Sequence, residues 1–427
     1  MKLLLKSKVL HLKSEIKITG SKSETNRLLL LQALYPNISL ENTSNSDDSE
    51  VMSSALSTTN NQQPTTLDQI IDIHHAGTAM RFLTAYFASQ ENRIVTLTGS
   101  SRMKERPIKI LVESLKQLGA KIDYLENDGF PPIKITGQKL TNNKVSLPAN
   151  VSSQYISALL LIAPKLQNGL ELTLIGEITS VPYIKMTLNL LQEIGVETSF
   201  NGNLIVIKSK AQSLKPKSLT VESDWSSASY FFSILALSEL GSRITLSSFK
   251  QNSLQGDSAL VEIYKKLGIE THFDGNKMTL VKQPNFKLYP SDSEQAKQTL
   301  NLDLNNTPDI AQTIVVTCLG LGIGCHLTGL HTLKIKETDR LEALKTELSK
   351  IGASISVTDE SLTLAPSTNI ISNQTIATYN DHRMAMAFAP LALKTNINIE
   401  NAEVVSKSYP DFWNDLKKLG FEISKKK

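Results

Sequence analysis

A short polar segment near the start of the chain has the residue types of an anion-binding site. Residues 20–27 read GSKSETNR and run directly into four leucines. Ser21 and Glu24 have the S-x-x-E spacing of a capping box, which predicts an N-cap at Ser21 and makes Lys22 the first helical residue. Backbone N–H groups and the positive end of the helix dipole then lie beside Lys22. The pattern is typical either of a site for a doubly charged oxyanion or of a capped surface helix with two exposed cations.

Two further charged segments could bind anions or move protons. Residues 102–107 read RMKERP and place three cations within five residues, which suits either an anion site or a solvated run of charge. In the segment KIKETDR, Lys336 and Arg340 are four residues apart and would share a helix face, with Glu337 adjacent. An acid beside fixed cations can serve as a general acid or base, although a helical ion-pair network would use the same residues.

Other predicted helices also begin with groups that hydrogen bond well to ligands. These starts are His75–Arg81, Val151–Gln154, Asp224–Ser229, Thr307–Asp309 and Asn380–Arg383. We expect Thr78 to be the N-cap of its helix and Gly77 to let a ligand approach the backbone closely. Each start also has a structural explanation: Asp309 would complement a helix dipole, the paired serines would form a cap, and His382 would lie on the surface. Their recurrence in one chain favours a site for polyanionic ligands.

The sequence lacks the common motifs of several other chemistries. It has no G-x-x-x-x-G-K-[ST] phosphate loop, no G-x-G-x-x-G after a predicted strand, and no G-x-S-x-G nucleophile turn. The seven histidines show no H-E-x-x-H or other metal-ligand spacing. The chain therefore carries no metal-binding or dinucleotide-binding signature.

Length and composition indicate a large globular protein. A chain of 427 residues is too long for one ordinary core, which predicts two domains or a repeat array. An apolar content of 40% with 20% charged residues is typical of soluble proteins. The net charge of +4 suits small anionic ligands but falls short of a nucleic-acid-binding surface.

The cysteines and the apolar runs bear on location. Cys318 and Cys325 are the only cysteines, so a disulfide framework is excluded and a reducing cytosol is expected. Lysines interrupt the apolar start of the given sequence, so we do not expect this segment to act as a signal peptide. No run approaches 18 apolar residues, so we expect no membrane span.

One pattern recurs along the chain, namely an amphipathic helix that ends in Leu-Gly or Ile-Gly and is followed by an alternating strand. Successive copies lie 68 to 84 residues apart, and a weaker copy without the glycine lies near Val51–Leu56. A glycine just after the last helical residue predicts a left-handed C′ position. Six α/β units favour two lobes of three units each, with a boundary at Thr220–Asp224. The five glycines are Gly119, Gly195, Gly268, Gly352 and Gly420.

Ten motifs taken together resemble one family over essentially the whole chain. In chain order they are GSKSETNR, AGTAMR, RMKERPI, VSSQ, TSVPYI, SDWSSASYF, NNTPDIAQT, IKETDR, YNDHRMAM and SKSYPDFW. The order of these motifs and their residues are similar to those of the EPSP synthases, which are enolpyruvyl transferases. The resemblance implies an α/β fold with two pseudo-symmetric lobes, each of three βαβαββ-type units in an inside-out, barrel-like arrangement. Residues 1–20 with 223–427 would form the lobe that carries the acid/base and phosphoenolpyruvate residues, and residues 21–222 the lobe that carries most shikimate 3-phosphate residues.

The same resemblance implies a reaction and its residues. The enolpyruvyl group of phosphoenolpyruvate would be added to the 5-hydroxyl of shikimate 3-phosphate, and phosphate would then be eliminated, a step of aromatic amino acid biosynthesis. Asp309 would take the hydroxyl proton, and Glu337, with Lys22, would handle the proton at C3. Shikimate 3-phosphate would contact Lys22, Ser23, Arg27, Ser152, Ser153, Ser180, Asp309 and Lys336, with Tyr183 close by. Phosphoenolpyruvate would contact Lys22, Gly77, Arg102, Gln154, Arg340, Arg383 and Lys407.

The resemblance also carries expectations about partners. The ligands would be small anions, without metal, organic cofactor, nucleic acid or membrane, and the chain would be a cytoplasmic monomer. The site would be shared by both lobes. Four positions depart from the family pattern, at His75, Phe82, Val181 and Thr332. Since the acids and phosphate ligands are intact, we expect activity with altered affinities and, because of Phe82, weaker inhibition by glyphosate.

Two rival interpretations remain open at this point. A UDP-N-acetylglucosamine enolpyruvyl transferase would share the two-lobe fold, but it would carry a cysteine or aspartate in the segment that here reads SSRMKERPI. A catalytically inactive anion-binding homologue is the other alternative. The retention of Asp309, Glu337 and Lys407 argues against it.

Overall fold

The computed structural model describes residues 1–7, 9, 11–60, 68–150, 152–178, 181–210, 215–283 and 299–426. The chain forms two compact units. The N-terminal unit is Gly20–Val221, and the C-terminal unit combines Met1–Thr19 with Glu222–Lys427. Each crossing lies one residue from the boundary expected from the sequence.

The first strands, β1 (Lys2–Ser7) and β2 (Lys13–Lys17), belong to the C-terminal unit. The helices of the N-terminal unit are α1 (Lys22–Leu34), α2 (Asp47–Asn60), α3 (Gly77–Ala88), α4 (Ser101–Lys104), α5 (Lys109–Gln117), α6 (Ser153–Ile162) and α7 (Val181–Glu193). Its strands are β3 (Ile38–Glu41), β4 (Asp68–Asp72), β5 (Ile94–Thr98), β6 (Lys121–Tyr124), β7 (Ile133–Thr136), β8 (Lys144–Pro148), β9 (Leu170–Ile175), β10 (Thr198–Asn201), β11 (Leu204–Ile207) and β12 (Lys217–Thr220).

The rest of the C-terminal unit follows the same alternation. Its helices are α8 (Trp225–Leu237), α9 (Leu260–Lys265), α10 (Ala311–Leu321), α11 (Arg340–Lys350), α12 (His382–Phe388) and α13 (Phe412–Lys418). Its strands are β13 (Arg243–Ser247), β14 (Ile269–Asp274), β15 (Lys277–Lys282), β16 (Thr299–Asp303), β17 (Gly324–Thr328), β18 (Ile355–Val357), β19 (Leu362–Leu364), β20 (Thr375–Ile376), β21 (Ile397–Ile399) and β22 (Phe421–Lys426). Short 3₁₀ helices include Gly256–Ala259, Pro308–Ile310, His331–Ile335 and Ala402–Lys407.

Five four-stranded sheets share one topology, in which a parallel pair is extended by two antiparallel strands. Their orders are β4-β5-β7-β6, β8-β9-β11-β10, β2-β13-β15-β14, β16-β17-β19-β18 and β20-β21-β1-β22. Within the described residues the sixth sheet is only the parallel pair β3-β12. Each unit therefore holds three α/β repeats, which confirms the predicted fold class, and the copy near Val51–Leu56 is the reduced one.

The repeat glycines take the conformation that their spacing predicts. Their φ angles run from 81° to 102°, in the left-handed region that residues with a Cβ rarely adopt. After α5, the Ala120 N–H donates to the Leu115 carbonyl at 3.0 Å, and after α11 the Ala353 N–H donates to Leu348 at 3.0 Å. These bonds are those of a Schellman motif, so the glycine turns each helix sharply into the next strand.

Each unit has its own hydrophobic core. The helices α3, α6, α8 and α10 are buried along nearly their whole length. A helix surrounded by apolar side chains has little polar surface except at its ends, so polar groups concentrate at the helix starts. On α11 and at its C-cap, the apolar side chains of Leu341, Leu344, Leu348 and Ile351 are buried. In the described part of the chain, no helix is both long and apolar enough to cross a membrane.

Candidate active site

In the N-terminal unit, α1 begins as predicted. Ser21 is the N-cap, and its hydroxyl accepts from the Glu24 N–H at 3.5 Å. The Lys22 ammonium lies 3.2 Å from the Asp48 carboxylate, in the first turn of α2. Because the Lys22 side chain is only 21% exposed and Arg27 is buried, the interpretation as a surface helix with two exposed cations is wrong.

Buried polar side chains fix α1 against the start of α2. The Ser49 hydroxyl donates to the Asn26 side-chain oxygen at 2.9 Å, and the Ser44 N–H donates to the Thr25 hydroxyl at 3.0 Å. All four residues are buried. Buried hydrogen bonds of this kind are costly to break, so they hold the two helix starts in one arrangement.

The Arg27 guanidinium is anchored on several sides. It donates from Nε to Thr187 at 2.8 Å, from Nη1 to the Ser23 carbonyl at 2.7 Å, and from Nη2 to Ser157 at 2.9 Å. Burial lowers the pKa of Arg27 to about 10, which still leaves it charged at neutral pH. These bonds use three of the five N–H donors of a guanidinium and hold the remaining donors in a fixed direction.

The start of α6 is also as predicted. Ser152 is its N-cap and accepts from the Gln154 N–H at 3.4 Å, and Ser153 is buried. The Gln154 side-chain amide donates to the Thr78 hydroxyl at 3.1 Å, which ties α6 to α3. Thr78 is not the N-cap of α3, contrary to our expectation, because that helix begins at Gly77, after Ala76, and the Thr78 hydroxyl is engaged by Gln154.

Gly77 allows a close approach, but the group that approaches is Arg106. A Cβ atom at Gly77 would lie 2.5 Å from Arg106 Nη1. Burial, together with the charge of Arg106, lowers the pKa of Arg81 to about 10. Two cations therefore stand at the N-terminus of α3. Arg102, in contrast, is 53% exposed and pairs with Glu105 at 2.8 Å, so the solvated interpretation of RMKERP describes Arg102.

The other predicted or divergent positions of this unit are the four residues Ser180, Tyr183, Phe82 and His75. Ser180 lies outside the described residues. Tyr183, in the first turn of α7, places its ring 6.0 Å from the Arg27 guanidinium, and the divergent Phe82 ring lies 5.4 Å from it. The divergent His75 places Nε2 3.9 Å from Asp48, on the carboxylate that also pairs with Lys22. Phe82 thus contacts the predicted phosphate ligand Arg27, and His75 contacts the acidic partner of the predicted ligand Lys22.

In the C-terminal unit, Asp309 is surrounded by cations. One carboxylate oxygen lies 2.8 Å from Arg340 Nη1 and 3.4 Å from Lys336 Nζ, and the other lies 3.5 Å from Arg383 Nη2. Burial alone would raise the pKa of Asp309, but Lys336, Arg383 and Arg340 hold it well below its ordinary value. Asp309 is therefore ionised at neutral pH, as a general base must be.

Arg340 is the centre of this cluster. Its buried guanidinium bonds Asp381 at 2.6 Å, Glu337 at 2.7 Å and Asp309 at 2.8 Å. Burial lowers the pKa of Arg340, but Asp381, Glu337 and Asp309 outweigh it and raise that pKa above its ordinary value. Glu337 thus forms the expected ion pair, although it lies before the helix and not on it, and the pair does not exclude an acid/base role because Glu337 is 27% exposed.

The expectation that Lys336 and Arg340 share a helix face is wrong. Asp339 caps α11 by accepting from the Leu341 and Glu342 N–H groups, so the helix begins at Arg340. Lys336 follows the 3₁₀ helix His331–Ile335 in extended backbone. The two cations meet instead at a single oxygen of Asp309.

The start of α12 supplies the remaining predicted residues. Asp381 is its N-cap and accepts from the Arg383 N–H at 2.9 Å. Arg383 donates from Nη1 to the Asp309 carbonyl at 3.1 Å, and Lys407 donates to the Asn380 carbonyl at 2.7 Å. His382 is buried, so the expectation of a surface histidine is wrong.

Sequence reasoning missed the acidic partners of the cations. Asp48, Asp257 and Asp381 were not singled out as site residues, and neither was Arg106. For Asp381 the available signal was an acid just before a helix whose first turn carries an arginine. Within the described residues no three His, Cys, Asp or Glu side chains are grouped to hold a metal ion.

The two groups of residues differ in chemistry. The N-terminal group offers helix starts, hydroxyls and cations, which suit the binding of phosphate and carboxylate. The C-terminal group combines an ionised carboxylate with fixed cations and a second, partly exposed carboxylate. Such a group can accept a proton while stabilising negative charge on a bound anion.

Comparison with known proteins identifies the family. A family model described as EPSP synthase (3-phosphoshikimate 1-carboxyvinyltransferase) matches residues 7–416. The 3-phosphoshikimate 1-carboxyvinyltransferase of Bacteroides fragilis (strain YCH46) is 45% identical over 419 residues, which are 97% of each chain. That of Histophilus somni (strain 2336) is 33% identical over 444 residues, covering 98% of this chain and 99% of the other.

A solved structure agrees at the level of the fold. EPSP synthase from Acinetobacter baumannii superposes with a TM-score of 0.77 at 20% identity, covering 99% of this chain and 100% of that chain. Because the family model spans nearly the whole chain and full-length relatives exceed 30% identity, this chain belongs to the EPSP synthase family of transferases.

Proposed function

We propose that the chain transfers the enolpyruvyl group of phosphoenolpyruvate to the 5-hydroxyl of shikimate 3-phosphate, which gives 5-enolpyruvylshikimate 3-phosphate and phosphate. Family membership supports the reaction. The observation that carries the mechanism is the carboxylate of Asp309, kept ionised by Arg340, Lys336 and Arg383. A base of this kind is what the hydroxyl group needs in order to act as a nucleophile.

The reaction has two steps. In the addition, the hydroxyl oxygen bonds to C2 of phosphoenolpyruvate, its proton passes to Asp309, and C3 gains a proton from Glu337, assisted by Lys22. In the elimination, C3 returns a proton to Glu337, the bond between C2 and the phosphate oxygen breaks, and the phosphate leaves with the proton that Asp309 took from the hydroxyl group. The guanidinium groups of Arg340 and Arg383 stabilise the negative charge of the reacting anion.

We assign the substrate contacts of each unit separately. In the N-terminal unit, shikimate 3-phosphate contacts Lys22, Ser23, Arg27, Ser152, Ser153 and Ser180, and phosphoenolpyruvate contacts Lys22, Gly77, Arg102 and Gln154. In the C-terminal unit, shikimate 3-phosphate contacts Asp309 and Lys336, and phosphoenolpyruvate contacts Arg340, Arg383 and Lys407. The anchoring of Arg27 and the cap at Ser152 support the first set. For Arg102 the assignment requires the side chain to exchange Glu105 for the ligand.

We further propose that the enzyme acts on small anions alone, as a cytoplasmic monomer without metal or organic cofactor. Cys318 and Cys325 are both free and buried, which supports a reducing compartment.

Phosphate release from phosphoenolpyruvate tests the reaction. We expect release with shikimate 3-phosphate, and none with UDP-N-acetylglucosamine or without acceptor. Asp309→Ala should lower kcat by roughly 10²- to 10⁴-fold while substrate binding stays detectable by calorimetry, because the lost group moves a proton. Asp359→Asn, on an exposed carboxylate of the same unit, is the matched control and should leave kcat unchanged. Absence of phosphate release by the unmodified enzyme with shikimate 3-phosphate would contradict the proposal.

A further inference from the structure

A second buried carboxylate lies beside the Asp309 cluster. Asp257, in the 3₁₀ helix Gly256–Ala259, is only 3% exposed. The Thr307 hydroxyl donates to one of its oxygens at 2.5 Å, and the Ser226 hydroxyl donates to the other. Neither bond comes from a cation. A buried carboxylate whose hydrogen bonds come from hydroxyl groups and not from cations is costly, so its presence calls for a reason other than stability.

The two hydroxyl groups connect Asp257 to the predicted ligands. Ser226, near the start of α8, also accepts from Arg383 Nη2 at 3.2 Å. Thr307 lies two residues before Asp309, whose carbonyl accepts from Arg383 Nη1 at 3.1 Å. Asp257 is therefore linked to Nη2 of Arg383 through the Ser226 hydroxyl, and less directly to Nη1 through Thr307 and the backbone that leads to the Asp309 carbonyl.

The direction of the Ser226 hydroxyl explains how this connection can act. A hydroxyl has one proton to donate and lone pairs that accept. With its proton directed to Asp257, Ser226 turns its lone pairs towards Arg383 Nη2, which otherwise faces the Asp309 carboxylate at 3.5 Å. Nη2 carries two N–H groups, so it can face Ser226 at 3.2 Å and Asp309 at 3.5 Å together, and Ser226 fixes one of these two directions.

The charges around Asp257 agree with this geometry. Burial raises the pKa of Asp257 and the charge of Asp309 also raises it, whereas Arg383 and the bonds from Ser226 and Thr307 lower it. Burial lowers the pKa of Arg383. Nearby groups, Asp309 and Asp257 among them, outweigh this effect and raise the pKa well above its ordinary value. Arg383 is therefore a permanent cation balanced between two carboxylates.

We propose that Asp257 is a positioning residue for the enolpyruvyl transfer, which acts through Ser226 and Thr307. It holds the Arg383 guanidinium where it can bind an anionic group of phosphoenolpyruvate, and it leaves a carboxylate oxygen of Asp309 able to accept the hydroxyl proton. The inference rests on the roles proposed above for Arg383 and Asp309.

Asp257→Asn is the direct test. The amide has the shape of the carboxylate, but its one oxygen can accept from only one of the two hydroxyl groups, so either Ser226 or Thr307 loses its acceptor and both lose the charge. Because bonds to charged groups are the strong ones, we expect KM for phosphoenolpyruvate to rise roughly 10- to 100-fold. KM for shikimate 3-phosphate should change by less than about twofold. Ser226→Ala should reproduce the selective effect, and adding Asp257→Asn to it should have little further effect on KM for phosphoenolpyruvate.

Asp415→Asn is the matched control. Asp415 is another buried carboxylate of this unit, and it accepts from the Tyr409 hydroxyl at 2.6 Å and from Lys418 at 2.7 Å. Its replacement should lower Tm without changing either KM, which separates a structural role from a positioning role.

The outcomes distinguish this inference from the proposed site. If Arg383→Lys raises KM for phosphoenolpyruvate but Asp257→Asn and Ser226→Ala do not, the role of Asp257 is refuted and the site stands. If Arg383→Lys also has no effect, the site assignment itself fails. Should Asp257→Asn not fold, Ser226→Ala alone decides, since it leaves the buried carboxylate in place.

Discussion

At the scale of single residues, the ionisation of Asp309 decides what the C-terminal cluster can do. Its pKa in the folded chain lies below the ordinary value of 3.8, because three cations outweigh the effect of burial. A carboxyl with a lowered pKa stabilises the fold fully above its unfolded pKa, and this contribution is lost as pH falls towards the folded pKa. The stabilisation by Asp309 should therefore be constant through the neutral range and fade only in acid.

We predict this pH dependence for the difference in stability between the unmodified chain and the Asp309→Asn variant. The difference in their free energy of unfolding, measured by urea titration, should be the same at about pH 8 and pH 5.5 and should shrink below about pH 4. Asp359→Asn, at an exposed position, should show no such change. A difference that already fades between about pH 8 and pH 6 would mean that Asp309 titrates near neutrality, and the base would need another identity.

The sequence predicted the cations of the site better than their partners. Lys336, Arg340 and Arg383 could be found from short motifs, because each lies beside a helix start with a visible cap. Asp257 could not, since its bonds reach Ser226 and Thr307, which are 31 and 50 residues away. Contacts over such distances depend on tertiary packing, which one sequence without relatives does not show.

At the scale of elements, the segment before α12 is held by a helix from another repeat. Tyr379 and Asn380 have φ angles of 53° and 56°, a region that is unfavourable for a bulky residue such as tyrosine. Glu347, buried on α11, accepts from the Tyr379 hydroxyl at 2.6 Å and from the Ala377 N–H at 3.1 Å. The turn that leads into Arg383 is therefore fixed by α11.

We predict that Glu347→Gln weakens both the fold and catalysis. The glutamine keeps the shape but loses the charge and one acceptor, so the free energy of unfolding should fall by about 1–3 kcal/mol. Since the turn precedes Arg383, kcat/KM for phosphoenolpyruvate should fall roughly tenfold. Urea unfolding and steady-state kinetics measure the two effects.

Glu342→Gln is the control on the same helix. Glu342 is exposed and pairs with Lys345 at 3.4 Å, so its replacement should change the free energy of unfolding by less than about 0.5 kcal/mol. Equal effects of the two replacements would show that the turn before α12 does not depend on Glu347.

Helix ends were predicted where local chemistry determines them and not elsewhere. Ser21, Ser152 and Asp224 are N-caps because their own oxygens bond the next turn. Thr78 has an equally suitable side chain, but its hydroxyl is taken by Gln154 from another helix. A cap residue in the sequence is thus a reliable guide only if no tertiary partner competes for it.

At the scale of the whole molecule, three of the six repeats are completed by strands from distant parts of the chain. β1 lies between β21 and β22, β2 pairs with β13, and β12 pairs with β3. The repeat spacing predicted six units, but this pairing has no local signal because the partners are separated by most of a unit. Of these distant pairings, β12-β3 is the one that lies within the continuous unit Gly20–Val221, and the others join Met1–Thr19 to the later part of the chain.

This difference in continuity predicts different behaviour of the two units as fragments. Residues 20–221 contain all strands of their sheets and a separate core, so we expect this fragment to fold alone, with helical circular dichroism and a cooperative urea transition. It should show no turnover, because Asp309 and Glu337 lie outside it.

A fragment of residues 222–427 should behave in the opposite way. Without Met1–Thr19 it lacks β2, which pairs with β13, and also β1, which lies between β21 and β22. Leu3 and Leu5 of β1 are buried and pair with Ile399 and Ile397. The loss leaves the edges of β13, β21 and β22 unpaired and removes apolar side chains from the core, so this fragment should aggregate. Adding residues 1–19 back through a flexible linker to its N-terminus should restore a cooperative transition, since the missing strand needs only to be present on the same chain. If the 222–427 fragment unfolds as cooperatively without β1 as with it, the first strands do not hold this unit together.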